Sequence, residues 1–318
     1  MVTTDKETIE EALVEENMKK FQLAYSSPFL QNPYTVLLGQ TATTETAKRI
    51  LNGTFQSPIN TKSHKRFLRC LQMPACIKEQ GPNNTVCTTG EAALYWKRKR
   101  EKTSSSMSNR HIGTYKALTN DIASLRIING VSSMAYEMGV TLPRWENDLD
   151  VTLIKKTGKI RPSEFRTIGT LEADFNQGAT LHFSKRMMST AMSNSLIPSS
   201  QYATKGNRAI EAAVVKVLYF DYLRINKRQG AFLAMDLMQC FDRMAHPVSS
   251  LATQRLGVHP NVVNTMIQTL CNMRHYIVRT AYGDSQDYYT GVKDRPLQGG
   301  VQGNGAAARY FLLLVVLY

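Results

Sequence analysis

An α+β fold is predicted by three features of the sequence. Apolar residues recur at helical spacing over most of its length, strand-turn-strand patterns occupy residues 149–168 and 275–290, and an apolar run of strand length, Ala231 to Met235, ends on the carboxylate of Asp236. Burying an ionised carboxylate at a strand end is costly unless a partner or a metal ion compensates it. Asp236 is therefore a candidate metal ligand, with Phe241 and Asp242 close behind it.

The composition restricts what the chain can be. At 318 residues, 42% of them hydrophobic, it is long enough for one large domain or two to three ordinary ones, and a folded chain rather than disorder throughout is expected. Thirty-nine Lys and Arg against 25 Asp and Glu leave a net charge of +14, which favours a polyanionic partner such as nucleic acid; a general solubility charge is the plainer alternative. The five cysteines (Cys70, Cys76, Cys87, Cys240, Cys271) are sparse and include no CxxC pair, so reduced, mostly buried thiols are expected rather than a disulfide framework or zinc site. No signal peptide or long apolar span is visible, and an intracellular, cytoplasmic or nuclear protein without a membrane role is expected.

In chain order, Thr4-Asp5-Lys6-Glu7 has the form of a capping box ahead of a helix carrying Ile9, Leu13, Val14, Met18 and Phe21 on one side. A second helix is predicted over Thr44 to Leu51, then a loop-rich stretch through Pro58, Pro74, Gly81, Pro82 and Asn83. Nothing catalytic is visible before residue 95. Lys97 to Lys102 (KRKREK) reads as a basic helix end feeding a serine-rich joint, a solvated face first and a nucleic-acid contact or nuclear import signal second.

Tyr115 to Met138 reads as one helix stopped by Gly139. From Leu149 the period changes: Val151 and Leu153 run into the turn Lys155-Lys156-Thr157-Gly158-Lys159, and the chain returns through Phe165, Arg166 and Ile168. Five basic residues crowd this hairpin, enough to hold phosphates or simply to make a basic surface loop.

Phe183 to Leu196 reads as a helix with Met187, Met188 and Met192 as core filler, and Asn207 as the cap of a helix whose inner face is Ile210, Ala213, Val214, Val217 and Leu218. Helices are predicted over Pro247 to Leu256 and from Pro260, with Val263, Met266, Ile267 and Leu270 on one face. A hairpin follows around Tyr282-Gly283-Asp284-Ser285. Pro296 to Gly305 then forms a Gln/Gly loop whose backbone can approach a ligand closely, with a helix starting at Ala306 behind it.

Singly these signals are weak. Together they make an ordered set: a basic hairpin, a strand ending in a carboxylate with an aromatic five residues later, and a Gln/Gly loop opening a helix. Nucleotidyl transfer needs cations for a triphosphate, carboxylates for divalent metal and a close-fitting loop for the nucleotide. From about Ser104 to Tyr318 the chain resembles a reverse transcriptase (an RNA-directed DNA polymerase) of the retroelement, non-LTR-like type. The resemblance rests on Arg110 to Lys116, Ile154-Lys155-Lys156 with Phe165 to Ile168, Leu171-Glu172-Ala173-Asp174-Phe175-Asn176, Ser200-Gln201-Tyr202-Ala203, Asp236 to Arg243, and Gln302-Gly303-Asn304-Gly305.

The resemblance implies a right-hand polymerase arrangement: an N-terminal helical extension over residues 1–103, a fingers-like region over 104–230 and a partial palm over 231–318, without a thumb. It implies that Asp236 is the catalytic aspartate bridging Mg²⁺ (or Mn²⁺), and that Lys156 and Arg166 hold the triphosphate of a deoxynucleoside triphosphate, with Lys155 the competing lysine. Phe241 would lie under the sugar, and Gln302 with Gly303 would pack against the nucleotide, although Gln298-Gly299 offers the same dipeptide four residues earlier. An RNA template and a DNA primer are the implied partners. Family members carry a second metal motif with two aspartates after the Gln-Gly helix, whereas this sequence has no Asp-Asp pair. The chain is therefore expected not to polymerise by itself; a non-catalytic nucleic-acid-binding remnant is the alternative.

Overall fold

The computed structural model describes residues 4–102, 106–155, 158, 161–204, 206–233, 239–280 and 283–309. Six helices come first: α1 (Lys6–Gln22), α2 (Tyr34–Leu38), α3 (Glu45–Asn52), α4 (Lys62–Cys70), α5 (Ala75–Gln80) and α6 (Thr89–Arg98). Helices α7 (Ile112–Leu118) and α8 (Ile122–Met138) lead to a hairpin of β1 (Asn147–Ile154) and β2 (Phe165–Thr170). A long helix follows as α9 (Ala173–Ala179), a π-helical stretch (Thr180–Met187) and α10 (Met188–Ser193). Then come α11 (Ala209–Ile225), α12 (His246–Gln254), α13 (Pro260–Cys271) and a second hairpin, β3 (Arg274–Thr280) with β4 (Gly283–Tyr289).

The fold is α+β. Its strands make one mixed sheet in the order β2-β1-β3-β4, two antiparallel hairpins joined by parallel pairing of β1 with β3. The main core draws on Phe29, Tyr34 and Leu38 from the first helices, on Trp145 and Phe175, and on Leu251, Met266 and Ala306. Residues between Ala24 and Leu71 thus share the main core with later segments, whereas Leu13 and Phe21 of α1 pack with Ile277 and Tyr289, and Tyr95 and Trp96 of α6 pack with Tyr115 and Leu125. Among the described residues no helix is long and apolar enough to cross a membrane.

Local chemistry explains where elements begin and end, including where the sequence reading needs correction. Asp5, not Thr4, caps α1, accepting from the Thr8 N–H at 2.9 Å. The stretch through Pro58 and Pro74 holds α4 and α5, because Thr61 caps the first of them and Pro74 starts the second. The helix expected over residues 115–138 is two helices. Asp121 accepts from the Ala123 and Ser124 N–H groups and starts α8 afresh, and Gly139 ends it at φ 73°. The helix expected from Phe183 begins ten residues earlier, at Ala173; Met187 and Met188 are buried in it, whereas Met192 is exposed.

The widest departure concerns α11. Arg208 stands at its N-cap, and Asn207 instead bonds Gln201 O and Thr204 Oγ1. The expected inner face, Ile210, Val214, Val217 and Leu218, is exposed, and no residue of the helix is buried. Helical spacing identifies an apolar side but not what covers it. Beyond it, Ala231, Phe232 and Leu233 form no strand and are exposed rather than buried, with Phe232 laid against Phe220. Asp236 and the rest of that expected strand lie outside the described residues, as does Lys156. Of the five thiols, Cys87 is buried and the others are half-buried; none is in a disulfide.

Candidate functional site

A cavity of about 280 Å³ opens between α1, the β1–β2 hairpin, the loop at residues 239–242 and the Gln/Gly loop. The hairpin supplies Lys155, Phe165, Arg166 and Thr167; α1 supplies Asn17, Lys20 and Phe21; the two loops supply Phe241, Asp242 and Gln302. Antiparallel pairing sets Leu153 opposite Arg166, so Arg166 and Lys155 sit together where the hairpin begins its turn. Arg166 is exposed and makes no ion pair among the described residues.

Lys20 is nearly buried on the inner face of α1, its ammonium reaching Phe165 O at 3.5 Å. Burial depresses its pKa, Lys155 adds to the depression, and Glu16, Asp242 and Asp150 oppose it. Asp242 has its pKa raised by burial and, more weakly, by Asp150, against the pull of Lys20, Lys155 and Arg243. Among the described residues the wall holds three cations, Lys20, Lys155 and Arg166, against one carboxylate, a balance suited to a polyanionic ligand.

Beneath α1 the sheet presents an unusual face. The alternation of β1 turns Leu149 one way and Asp148, Asp150 and Thr152 the other. Parallel register sets Asp148 opposite His275, and antiparallel register sets His275 opposite Tyr289. Asp148, Asp150 and His275 are at most 2% exposed, and His275 Nδ1 stands 3.4 Å from Asp148 Oδ2 and 3.4 Å from Asp150 Oδ2. Burial raises the Asp148 pKa; at His275 burial works against charge but the two carboxylates prevail and raise the imidazole pKa. The three side chains can hold a metal ion.

Glycines bring the Gln/Gly loop onto this sheet. Gly169 donates its N–H to Gln302 O at 2.8 Å, and a Cβ on Gly303, at φ +128°, would fall on Gly169 O. A Cβ on Gly169 would in turn fall on Asp148 Oδ2 and Val301. Asn176, in α9, completes the hold by accepting from Gly305 N at 2.9 Å and donating to Gly303 O at 3.4 Å. Val301, next to Gln302, has φ 46°, a left-handed conformation rare for a β-branched residue.

The earlier dipeptide has a different role. Gln298 is buried, its Oε1 accepting from His246 N and its amide donating to Gln40. Gly299 and Gly300 donate to Met244 O and Phe241 O, and thereby fix the loop that carries Phe241. Gln302 lines the cavity; Gln298 does not.

His246 braces the same loop from below, with Nε2 2.8 Å from Gly299 O and Nδ1 3.3 Å from the Cys271 sulfur. A carbonyl only accepts, so Nε2 carries a proton. Burial lowers its pKa to about 4 from an ordinary 6.5. Between those values the unfolded chain binds a proton that the folded one refuses. Stability from this group is complete above pH 6.5 and declines as pH falls toward about 4, by on the order of 3 kcal/mol. His246→Gln is expected to flatten that decline, measured by urea unfolding across the pH range.

The structure thus gathers Lys155, Arg166, Phe241 and Gln302 around one cavity, with Gly303 behind Gln302 against the sheet. Asp236 and Lys156 lie outside the described residues. Sequence reading missed Lys20 and Asn17, which lie before residue 95, and the group Asp148, Asp150 and His275. An Asp-x-Asp at strand spacing was the available signal for the latter, but the pairing of β1 with a strand some 125 residues later has no local signature. No protein-family model matches the chain, and no curated protein matches it either.

Proposed function

We propose that the chain is the nucleotide-binding portion of a reverse transcriptase of the retroelement type, comprising fingers and the first part of a palm. The observation that supports this best is convergence. Arg166, Phe241 and Gln302, which the resemblance assigns to one nucleotide, come from segments well separated in sequence, and with Lys155, the competing lysine, they line one cavity.

In this reading the triphosphate of a deoxynucleoside triphosphate lies against Arg166 and Lys155, with Lys20 adding charge from below. Phe241 faces the sugar, its backbone fixed by Gly300. Gln302 closes the cavity from the far side, and Asn176 and Gly169 hold its loop in place. Mg²⁺ (or Mn²⁺) would be held by Asp236, where it would neutralise charge on the phosphates. The net charge of +14 suits an RNA template paired with a DNA primer.

The steric role of Phe241 gives the test. A ring that crowds a 2′-hydroxyl discriminates by the cost of overpacking, roughly 1–3 kcal/mol, so Phe241→Ala is expected to improve ribonucleotide relative to deoxynucleotide binding by about tenfold or more. Competition between the two nucleotides for the purified chain measures it. An unchanged ratio would remove Phe241 from the sugar site. Metal-dependent primer extension, with Asp236→Ala as the control, separates a polymerase from a nucleic-acid-binding remnant.

A further inference from the structure

The sheet face under α1 has too many polar atoms and too few partners. Of ten buried side-chain nitrogens and oxygens without a hydrogen-bond partner among the described residues, six belong here: both oxygens of Asp148, Asp150 Oδ1, His275 Nδ1, Thr152 Oγ1 and Asn17 Nδ2. Buried polar groups are normally paired, and two buried carboxylates side by side need more positive charge than one imidazolium supplies.

We propose that Asp148, Asp150 and His275 form a structural Zn²⁺ site, separate from the magnesium chemistry of the cavity. Distances support this. Two ligand atoms that each lie about 2.1 Å from one tetrahedral zinc are about 3.4 Å apart. His275 Nδ1 lies 3.4 Å from the Oδ2 atoms of both Asp148 and Asp150, a separation long for good hydrogen bonds and right for sharing an ion. All three ligand atoms fall within 4.8 Å of one another. The two oxygens of one carboxylate are too close together to take two tetrahedral vertices, so the fourth position falls to a water molecule.

Charge and support agree with the geometry. Two carboxylates, a neutral imidazole and Zn²⁺ sum to zero, the balance a fully enclosed site requires. One imidazole and two carboxylates suit zinc better than magnesium, which prefers oxygen ligands and keeps its waters. The surrounding shell fixes the ligands: the Tyr289 hydroxyl donates to Asp150 Oδ2, and the His275 ring is held between Phe21 at 5.2 Å and Tyr289 at 5.0 Å. An ion here would tie β1 to β3, the one parallel junction of the sheet, directly beneath the face that α1 covers.

The test uses the full chain, stripped with chelator and exchanged into Zn²⁺ or Co²⁺. One zinc per chain after gel filtration is expected, together with the intense visible bands of tetrahedral cobalt. Asp148→Asn is expected to abolish both, and Asp236→Ala to leave both intact. Because Asp148→Asn can fail to fold, Tyr289→Phe serves as the milder variant: it keeps every ligand and is expected to weaken zinc binding about 10–100-fold. No bound metal in the wild-type chain, octahedral cobalt spectra, or equal uptake by Asp148→Asn and Tyr289→Phe would overturn the site.

Discussion

Arg144→Ala is expected to destabilise the chain by about 3–5 kcal/mol, the loss that follows when one partner of a buried ion pair is removed. Arg144 donates to Glu172 Oε2 at 3.1 Å and to Asp174 Oδ1 at 2.7 Å, with a further contact to Asp174 Oδ2. Both carboxylates are at most 2% exposed. The neutral donors around them do not carry the charge: Ser106 serves Glu172, while Ser132 and the Trp145 indole serve Asp174. Without the guanidinium two adjacent carboxylates would remain buried with no ion-pair partner among the described residues. These residues lie just before and at the start of α9, which carries Asn176 to the Gln302 loop, so the loss is expected to loosen the cavity as well. Arg144→Lys keeps the charge but not the fork and is expected to recover part of the loss. Chemical denaturation of the three proteins measures both effects.

Gly303→Ala has the second-largest expected effect, about 2–5 kcal/mol. Two costs combine: a backbone at φ +128° that a residue with a Cβ adopts only under strain, and a methyl group driven onto the Gly169 carbonyl. The collision is with backbone, so no rotamer relieves it. The expected result is loss of the Gly169 to Gln302 hydrogen bond and withdrawal of Gln302 from the cavity, with nucleotide binding lost in step with stability. Gly158→Ala is the matched comparison. That glycine also has positive φ, at +79°, but no described residue lies within 4 Å of a Cβ there, so only the conformational part of the cost is expected. Thermal unfolding of the two variants separates strain from collision.

Residues with strong local signals were legible in the sequence. The alternation of Val151 and Leu153 and the return through Phe165 and Ile168 gave the basic hairpin; Pro260 marked the start of α13, and Gly257 the break between the two helices, although α12 itself ends at Gln254. Helix division at Asp121 was missed because an aspartate can sit on a helix surface or cap a new one, and only its Ala123 and Ser124 partners decide.

The candidate site divided the same way. Lys155, Arg166, Phe241 and Gln302 stood out by residue type and order, whereas Lys20 and Asn17 looked like an ordinary amphipathic helix. Their place in the cavity depends on α1 crossing the sheet, where Thr167 bonds Asn17 at 2.7 Å across 150 residues of sequence. The choice between Gln298 and Gln302 likewise turns on tertiary partners: Gln298 is committed to His246 and Gln40, and Gln302 is left to face the cavity. The exposure of α11 follows from no pattern within its own seventeen residues.

The central claim is that the cavity binds a deoxynucleoside triphosphate through the basic hairpin, and equilibrium binding of a labelled deoxynucleoside triphosphate with Mg²⁺ tests it most directly. Charge-assisted contacts contribute roughly 1.5–3 kcal/mol each, so the Lys155→Ala/Arg166→Ala double variant is expected to weaken binding about 100-fold or more while the fold is retained. Equal affinity of the double variant and the wild-type chain, or no saturable binding by the wild-type chain, would contradict it.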